Sequence, residues 1–167
     1  MSIFISIASY QDPLLVSTIW SAYSNACNKK DLIFSICDQS DNPVKINELP
    51  FAQQIRYDHV DPLFAKGPCW ARHRAQSFYA AEEYFLQIDS HTQFLPDWDI
   101  LFIESLSKIE ALGSHDNYFN KPIITSYPRG FEVVDFEKGL FSLHSGDKHT
   151  QVITYRQDSI FSRGSFS

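Results

Sequence analysis

The chain has 167 residues, 44% of them hydrophobic and 20% charged, which is enough to bury the core of one globular domain. The net charge of −6 argues against a general nucleic-acid-binding protein but leaves a nucleotide ligand open. We expect no membrane span and no signal peptide, since no apolar run is long enough and the first residues lack a basic region. The three cysteines lack metal-finger spacing, so we expect reduced thiols in a cytoplasmic protein.

The first third of the chain predicts a strand, a helix and a second strand. Residues 3–8 and 32–37 are short apolar runs rich in β-branched and aromatic side chains, which is typical of buried strands. Between them, Asp12 is a good helix N-cap and Pro13 suits the first helical position. Apolar residues then recur at helical spacing at Leu15, Ile19, Ala22 and Ala26. This order opens a βαβ unit.

The middle of the chain continues this alternation. Residues 55–60 and 84–88 predict the third and fourth strands, and 123–127 predict a fifth. A second helix begins at Gly67-Pro68, with an apolar stripe formed by Ala71, Ala75 and Phe78. A third helix begins in the run Pro96-Asp97-Trp98-Asp99. Alternating strands and helices predict an α/β fold with a mostly parallel sheet flanked by helices.

The pattern changes after Pro128. Residues 133–136 and 140–143 flank Glu137-Lys138-Gly139, which predicts a β-hairpin, and residues 151–155 predict a further strand. Neither a repeat nor a linker is evident in the sequence, so we expect a single domain over residues 1–167.

Two potential metal ligands follow the fourth predicted strand, in the run YFLQIDSHTQF over residues 84–94. Asp89 and His91 are two residues apart, so in extended geometry they point to the same side and Ser90 points to the other. A carboxylate oxygen and an imidazole nitrogen can bind one divalent cation, and ligands of open α/β sheets bind at this end of the strands. The alternative is that Asp89 caps the next segment and His91 is an ordinary loop histidine. The position at the end of an apolar strand favours the metal site.

Four blocks of the sequence resemble one family of GT-A-type glycosyltransferases, the GlcNAc-transferases typified by the cytoplasmic enzyme that modifies a hydroxyproline of an F-box adaptor. The blocks are IFISIASYQDP (3–13), GPCWARHRAQ (67–76), YFLQIDSHTQF with PDWD (84–99) and IITSYP (123–128). They occur in the family's order at similar intervals and cover most of residues 3–128. The Asp-Ser-His triplet is also similar to that of the mucin-type polypeptide GalNAc-transferases, where it plays the role of the DxD motif.

The resemblance implies a GT-A-like, Rossmann-related fold and transfer of GlcNAc from UDP-GlcNAc to a protein or glycan. It implies Mn²⁺ or Mg²⁺ as cofactor, with Asp89 and His91 as metal ligands. It also implies a set of donor-binding residues, namely Ala8, Ser9, Tyr10, Asp38, Arg72 and Ser90. Residues 1–128 would then be the nucleotide-sugar-binding part, and residues 129–167 the start of the acceptor side.

Each donor-binding residue has an implied role. The first three would line a uridine pocket, Asp38 would bind uracil or ribose, and Ser90 would lie near ribose or phosphate. Arg72 would bind a phosphate, or a carboxylate that orients the sugar, because its planar fork suits both. The alternative for Asp38 is a turn former, and for Arg72 a surface ion pair with a neighbouring carboxylate.

Members of this family continue beyond the equivalent of Ser167, so we expect a chain truncated at its C-terminus. The later part carries the acidic catalytic candidate and, in the GalNAc-transferases, a late histidine that binds the metal. Here the downstream histidines are His144 and His149, and the downstream carboxylates are Glu132, Asp135, Glu137, Asp147 and Asp158. None of them lies in a recognisable motif, so the catalytic residue is unassigned and we expect weak donor binding with little turnover.

Two rival functions follow from the same residues. One is a non-catalytic protein that binds a UDP-sugar or metal, a remnant of such an enzyme. The other is a metal hydrolase using Asp89 and His91, which would need further ligands in motif spacing that the sequence does not show. A sheet edge exposed by truncation could also promote homo-oligomers.

Overall fold

A computed structural model describes residues 1–113, 123–127, 130–135, 140–143 and 151–152. The chain packs as two compact units, residues 1–104 and 105–167.

The first unit alternates strands and helices in the predicted order. Its strands are β1 (Ile3–Tyr10), β2 (Leu32–Gln39), β3 (Ile55–His59) and β4 (Tyr84–Asp89). Its helices are α1 (Leu15–Asn25), α2 (Pro68–Gln76) and α3 (Trp98–Gly113), and α3 continues into the second unit. β2 is two residues longer than predicted, so Asp38 belongs to the strand and not to the turn after it.

The four strands form one sheet in the order β3-β2-β1-β4, and every neighbouring pair is parallel. This confirms the predicted α/β fold with a parallel sheet flanked by helices and agrees with a GT-A-like architecture. β1 lies between β2 and β4, with Ala8 opposite both Cys37 and Asp89. The carboxyl ends of three strands therefore lie side by side at one edge of the sheet.

One face of the sheet packs against α1 through large apolar side chains. Alternate residues of β1, Ile3, Ile5 and Ile7, are fully buried there. They pack with buried residues of α1, β2 and later segments, namely Leu15, Ile19, Ala22, Leu32, Phe34, Ile36, Phe51 and Trp98. The period of two in β1 and the helical period in α1 both predict this core.

The other face packs against α2 through small side chains. Cys37, Ala71 and Ala75 are fully buried in this cluster. The Ser35 hydroxyl donates a hydrogen bond to the Ala75 carbonyl at 2.7 Å, which requires a close approach of helix and strand. Phe78 does not extend this stripe as predicted, because α2 ends at Gln76 and the Phe78 side chain is exposed.

Among its described residues, the second unit contains two antiparallel strand pairs. β6 (Phe131–Asp135) pairs with β7 (Leu140–Leu143), which confirms the predicted hairpin, although its turn lies outside the described residues. β5 (Ser126–Tyr127) pairs with β8 (Gln151–Val152) and is shorter than predicted. Within the described residues, none of the helices has both the length and the apolar character that crossing a bilayer requires.

Candidate functional site

The carboxyl ends of β1 and β4 bring two polar segments together in the first unit. β1 leads into residues 11–14, and β4 leads into residues 90–94. Five side chains or backbone groups from these segments and from α1 contact each other, at Asp12, Thr18, Ser90, His91 and Thr92. We name this group the β1–β4 junction.

Asp12 makes the largest number of contacts in the β1–β4 junction. Its Oδ2 accepts hydrogen bonds from Ser90 Oγ at 2.6 Å and from His91 Nδ1 at 2.8 Å. Its Oδ1 accepts from the Leu14 backbone N–H at 2.9 Å, so Asp12 does contact the start of the helix. However, α1 begins at Leu15, later than predicted from Asp12 and Pro13, and a turn precedes it. The sequence did not reveal the contacts of Asp12 with Ser90 and His91.

These contacts keep Asp12 ionised. Partial burial raises the pKa of its carboxyl group, but the hydrogen bonds from Ser90, His91 and Leu14 lower that pKa by more, and the net pKa lies below the usual range. An ionised carboxylate only accepts hydrogen bonds. His91 must therefore donate its Nδ1 proton to Asp12.

A backbone bend at Gln11 precedes Asp12. Gln11 has φ of 50°, in the left-handed region that residues with side chains seldom adopt. Its backbone N–H donates to the Gln39 carbonyl at 3.1 Å, and its side chain exchanges hydrogen bonds with Asp41. These contacts with β2 and the residues after it stabilise the bend that separates the end of β1 from Asp12.

Helix α1 fixes the segment that follows β4. Thr18 Oγ1 donates to the Ser90 carbonyl at 2.7 Å and accepts from the Thr92 N–H at 3.0 Å. One and two turns later, Ser21 Oγ accepts from the Phe94 N–H and Asn25 Nδ2 donates to the Phe94 carbonyl. Residues at this spacing share one side of a helix. The polar side of α1 therefore binds the backbone of residues 90–94 directly.

Asp89 and His91 are exposed, and Ser90 between them is buried. The side chains of Asp89 and His91 are 61% and 60% exposed, whereas Ser90 is 5% exposed. A neutral His91 ring that donates from Nδ1 to Asp12 has its lone pair on Nε2. Asp89 Oδ1 accepts a hydrogen bond from Arg72 Nη2 at 3.0 Å. Arg72 therefore forms an ion pair with a neighbouring carboxylate, which was the alternative to a role in donor binding.

The donor set of this pair fits a divalent cation. In the part of the chain that the structure describes, no three His, Cys, Asp or Glu side chains are grouped to hold a metal ion. A carboxylate and an imidazole with a free lone pair are nevertheless suitable ligands, and Mg²⁺ or Mn²⁺ commonly takes its other ligands from water and substrate phosphates. Both downstream histidines, His144 and His149, lie outside the described residues.

A cleft of ≈ 410 Å³ opens on the other side of β1, at the carboxyl ends of β1 and β2. We name it the β1–β2 cleft. Its lining residues come from these two strands and from the segment before α2, namely Ala8, Ser9, Tyr10, Gln39, Pro62, Ala65, Gly67 and Pro68. The volume is in the range of small-molecule sites, roughly 300–1,000 Å³. The three residues predicted to line a uridine pocket thus line a cleft, while its ligand stays a prediction.

Helix α2 connects the β1–β2 cleft with Asp89. Gly67 has φ of 91°, which favours glycine, and Pro68 is the first residue of the helix. Arg72 follows Pro68 by four residues and so lies on the same side of α2. One end of this helix therefore lines the cleft, and the next turn contacts Asp89, the first residue of the Asp89–His91 pair.

Asp38 does not line the cleft. It is 1% exposed, and its Oδ2 accepts hydrogen bonds from the Tyr57 hydroxyl at 2.5 Å and from the Val44 N–H at 3.3 Å. Burial and the contact with Asp38 raise the pKa of Tyr57. The next residue, Gln39, faces the cleft instead, and its Nε2 donates to the Ser9 carbonyl at 2.9 Å. The role of Asp38 toward uracil or ribose stays a prediction.

Sequence reasoning missed Asp12, Gln39 and Thr18. A signal existed for Asp12, because it is a carboxylate just after a strand, as Asp89 is. Gln39 belongs to a polar run after the second apolar run and could have been weighed with Asp38. Thr18 carried no such signal. Of the five downstream carboxylates, Glu132 and Asp135 lie on β6, and the others lie outside the described residues.

Comparison with known proteins identifies the family. A family model described as Glycosyltransferase (GlcNAc) matches residues 40–148, more than half of the chain. Neither the curated proteins nor the solved structures gave a match. The matched range contains α2 with Arg72 and β4 with the Asp89–His91 pair, and it begins after β1 and Asp12. The chain therefore belongs to the Glycosyltransferase (GlcNAc) family, the kind of enzyme that its sequence blocks resemble.

Proposed function

We propose that this glycosyltransferase transfers GlcNAc from UDP-GlcNAc to a hydroxyl group of a protein or glycan, with Mn²⁺ or Mg²⁺ bound by Asp89 and His91. The observation that carries the proposal is the arrangement around β1. A cleft of nucleoside size and a pair of exposed metal-ligand side chains flank the carboxyl end of this one strand. Ligands of open α/β sheets bind at such a position.

The β1–β2 cleft would take the uridine. Tyr10 and Pro62 offer apolar surface to a flat base, and Ser9 and Gln39 offer polar atoms near it. Tyr10 is 59% exposed, so its ring is accessible to a ligand. A mainly apolar site with a few polar groups is the usual composition of a small-molecule pocket.

The diphosphate would extend along α2 from the cleft toward Asp89. Arg72 can turn its planar guanidinium from Asp89 to a phosphate, which its fork geometry matches. Asp89 and His91 would hold the cation, which when bound stabilises the negative charge of the departing UDP. Asp12 and Thr18 keep the residues around His91 in place by the hydrogen bonds of the β1–β4 junction.

In the reaction, the acceptor oxygen forms a bond to C1 of GlcNAc, and the bond from C1 to the diphosphate oxygen breaks. The acceptor hydroxyl gives up its proton to solvent, and UDP leaves with the electron pair of the broken bond. The positive charge of Arg72 would stabilise the negative charge that develops on the diphosphate as the bond breaks.

The test measures UDP release from UDP-GlcNAc with Mn²⁺, using water and a hydroxyproline peptide as acceptors and a chelator as control. We expect acceptor-stimulated UDP release that requires the metal and is lost in Asp89→Ala. Robust turnover would also overturn the expectation of little turnover that was drawn from the sequence. Donor binding without any turnover would contradict the proposal and support the non-catalytic alternative.

A further inference from the structure

We infer that Asp12 is the positioning residue for His91, which it orients through Nδ1 so that Nε2 is the nitrogen available to a cation. The inference rests on the proposed function, since it concerns the same metal site. It adds a residue from outside the matched family range, on a segment 79 positions away in sequence.

The hydrogen bond itself determines which nitrogen is free. Asp12 Oδ2 lies 2.8 Å from His91 Nδ1, and the carboxylate can only accept. A neutral imidazole with its proton on Nδ1 has its lone pair on Nε2. Histidines that bind metals commonly donate their other N–H to a carboxylate, which fixes the ring and raises the basicity of the ligand nitrogen.

Asp12 is itself held in place, which distinguishes this contact from an ordinary surface ion pair. Its carboxylate is 15% exposed and accepts two further hydrogen bonds, from Ser90 Oγ and from the Leu14 N–H. By contrast, the Lys45–Glu48 pair on the surface has side chains that are 79% and 70% exposed. A partly buried acceptor with three donors constrains the ring of His91 more than an exposed partner would.

The residue before His91 is fixed as well. The Ser90 hydroxyl donates to Asp12, and the Ser90 carbonyl accepts from Thr18 Oγ1 at 2.7 Å. The backbone on which His91 stands is therefore bound from both sides, by the loop after β1 and by α1. Ring and backbone of His91 are both positioned before any ligand binds.

The discriminating variant is Asp12→Asn. Its amide oxygen can still accept from the Leu14 N–H, but its NH₂ group then faces Ser90 and His91. An NH₂ group cannot accept the Nδ1 proton, so His91 is expected to shift its proton to Nε2 and lose the free lone pair there. A purely structural link between the two loops would change stability without changing the tautomer.

The first measurement is the tautomer of His91 by long-range ¹H–¹⁵N NMR correlations, without metal, in mildly alkaline buffer where imidazoles are neutral. We expect the proton on Nδ1 in the parent chain and on Nε2 in Asp12→Asn. The second measurement is Mn²⁺ binding by electron paramagnetic resonance, where Asp12→Asn should bind about 10–100-fold more weakly. Asp61→Asn is the matched control, since Asp61 also accepts from a backbone N–H two residues on, at Leu63. It should change neither result.

The outcomes separate this inference from the proposed function. A parent chain with its proton on Nε2 overturns the inference, and this result does not depend on the folding of any variant. Mn²⁺ binding that is lost in His91→Ala but kept in Asp12→Asn also overturns it, while the metal site itself stands. A parent chain that binds no Mn²⁺ overturns both.

Discussion

The β1–β4 junction and the β1–β2 cleft, which flank the carboxyl end of β1, differ in the hydrogen-bond partners of their polar side chains. In the β1–β4 junction the functional side chains bind each other, with Asp12 holding Ser90 and His91 and Thr18 holding the backbone on either side of His91. In and beside the β1–β2 cleft, Ser9 Oγ, Asp38 Oδ1, Gln39 Oε1 and Ser40 Oγ are buried without a hydrogen-bond partner in the described residues.

Under the proposed function, this difference corresponds to two contributions to one site. The β1–β4 junction has its geometry fixed by the protein, as a site for a small cation requires. The β1–β2 cleft offers space and polar atoms whose burial is costly without partners, as a site for a larger organic ligand does. Variants of the junction should therefore change cation binding, and variants of the cleft should change nucleoside binding.

The largest effect should come from Asp89→Ala. We expect the Mn²⁺-dependent part of UDP binding to fall on the order of 100-fold, because one of the two protein ligands is removed. Calorimetry measures the affinity, and circular dichroism checks that the fold is intact. Glu110→Ala, an exposed carboxylate on α3, is the control. If Asp89→Ala binds UDP and Mn²⁺ as tightly as the parent chain does, Asp89 is not a metal ligand.

Filling the β1–β2 cleft should have the next largest effect. Ala65 lines the cleft, so the indole of Ala65→Trp should occupy part of it and weaken UDP binding by about tenfold or more. Mn²⁺ binding without nucleotide should not change. Leu63→Trp is the matched control, since Leu63 is 89% exposed and does not line the cleft. Equal losses in both variants would argue against the cleft as the nucleoside site.

Arg72 links the two regions, so its replacement should have opposite effects on the two ligands. In Arg72→Met we expect UDP-GlcNAc to bind about fivefold more weakly, since one charged hydrogen bond to phosphate is worth about 1 kcal/mol at a half-exposed site. Mn²⁺ alone should bind somewhat more tightly, because Asp89 loses its competing partner. Lys45→Met, on the surface, is the control. If the affinity for both ligands is unchanged, Arg72 forms only its surface ion pair with Asp89 and does not bind the donor.

Thr18→Val tests whether α1 stabilises the β1–β4 junction. Valine keeps the shape but removes both hydrogen bonds of Thr18, to the Ser90 carbonyl and from the Thr92 N–H. We expect the free energy of unfolding to fall by about 1–3 kcal/mol, since both backbone groups lose their partner. Urea unfolding measures it, with Ser24→Ala on the exposed side of α1 as control. A change within about 0.5 kcal/mol, typical of a surface substitution, would show that these bonds are dispensable.

The smallest effect near neutral pH concerns acid stability. The pKa values of Asp12, Glu82 and Asp99 are lowered because hydrogen bonds or an ion pair outweigh the opposing effect of burial. A carboxyl whose folded pKa is below its unfolded value of about 4 stabilises the fold fully above that pH and loses this contribution as the pH falls through the folded pKa. We expect the free energy of unfolding to fall from about pH 5 to pH 3.

Asp99 gives this pH dependence a specific check. Its carboxylate is fully buried and accepts from the backbone N–H groups of Cys27 and Asn28, both at 2.8 Å. Asp99→Asn should be less stable at neutral pH and should lose less stability on acidification. A parent chain whose stability is constant from pH 5 to 3 would show that these carboxylates do not contribute as their contacts indicate.

Much of the fold was predictable because the chain's periodicity is strong. The apolar runs of β1 and β2 are buried, and β4, at the edge of the sheet, alternates between half-buried and exposed residues. Local pattern suffices there, because side chains of a strand alternate between its faces. Ser90 and His91 lie in a turn after β4, so their burial does not follow from an extended strand.

The contacts of the site were harder to predict because they join distant segments. Asp12 meets Ser90 across 78 positions, and nothing in a single sequence pairs two such residues. Asp38 shows a second reason. β2 continues to Gln39, so Asp38 is buried within the strand, while its neighbour Gln39 lines the cleft. Neighbouring residues of a strand point to opposite faces, so the extension of β2 by two residues separates Asp38 from the cleft that Gln39 lines.

The most direct test of the account is a calorimetric titration of UDP-GlcNAc into the parent chain and into His91→Ala, each with and without Mn²⁺. We predict that Mn²⁺ strengthens donor binding to the parent chain and that His91→Ala loses this enhancement while it keeps the weaker binding in the cleft. Donor affinity that is the same with and without Mn²⁺ in the parent chain would contradict the account.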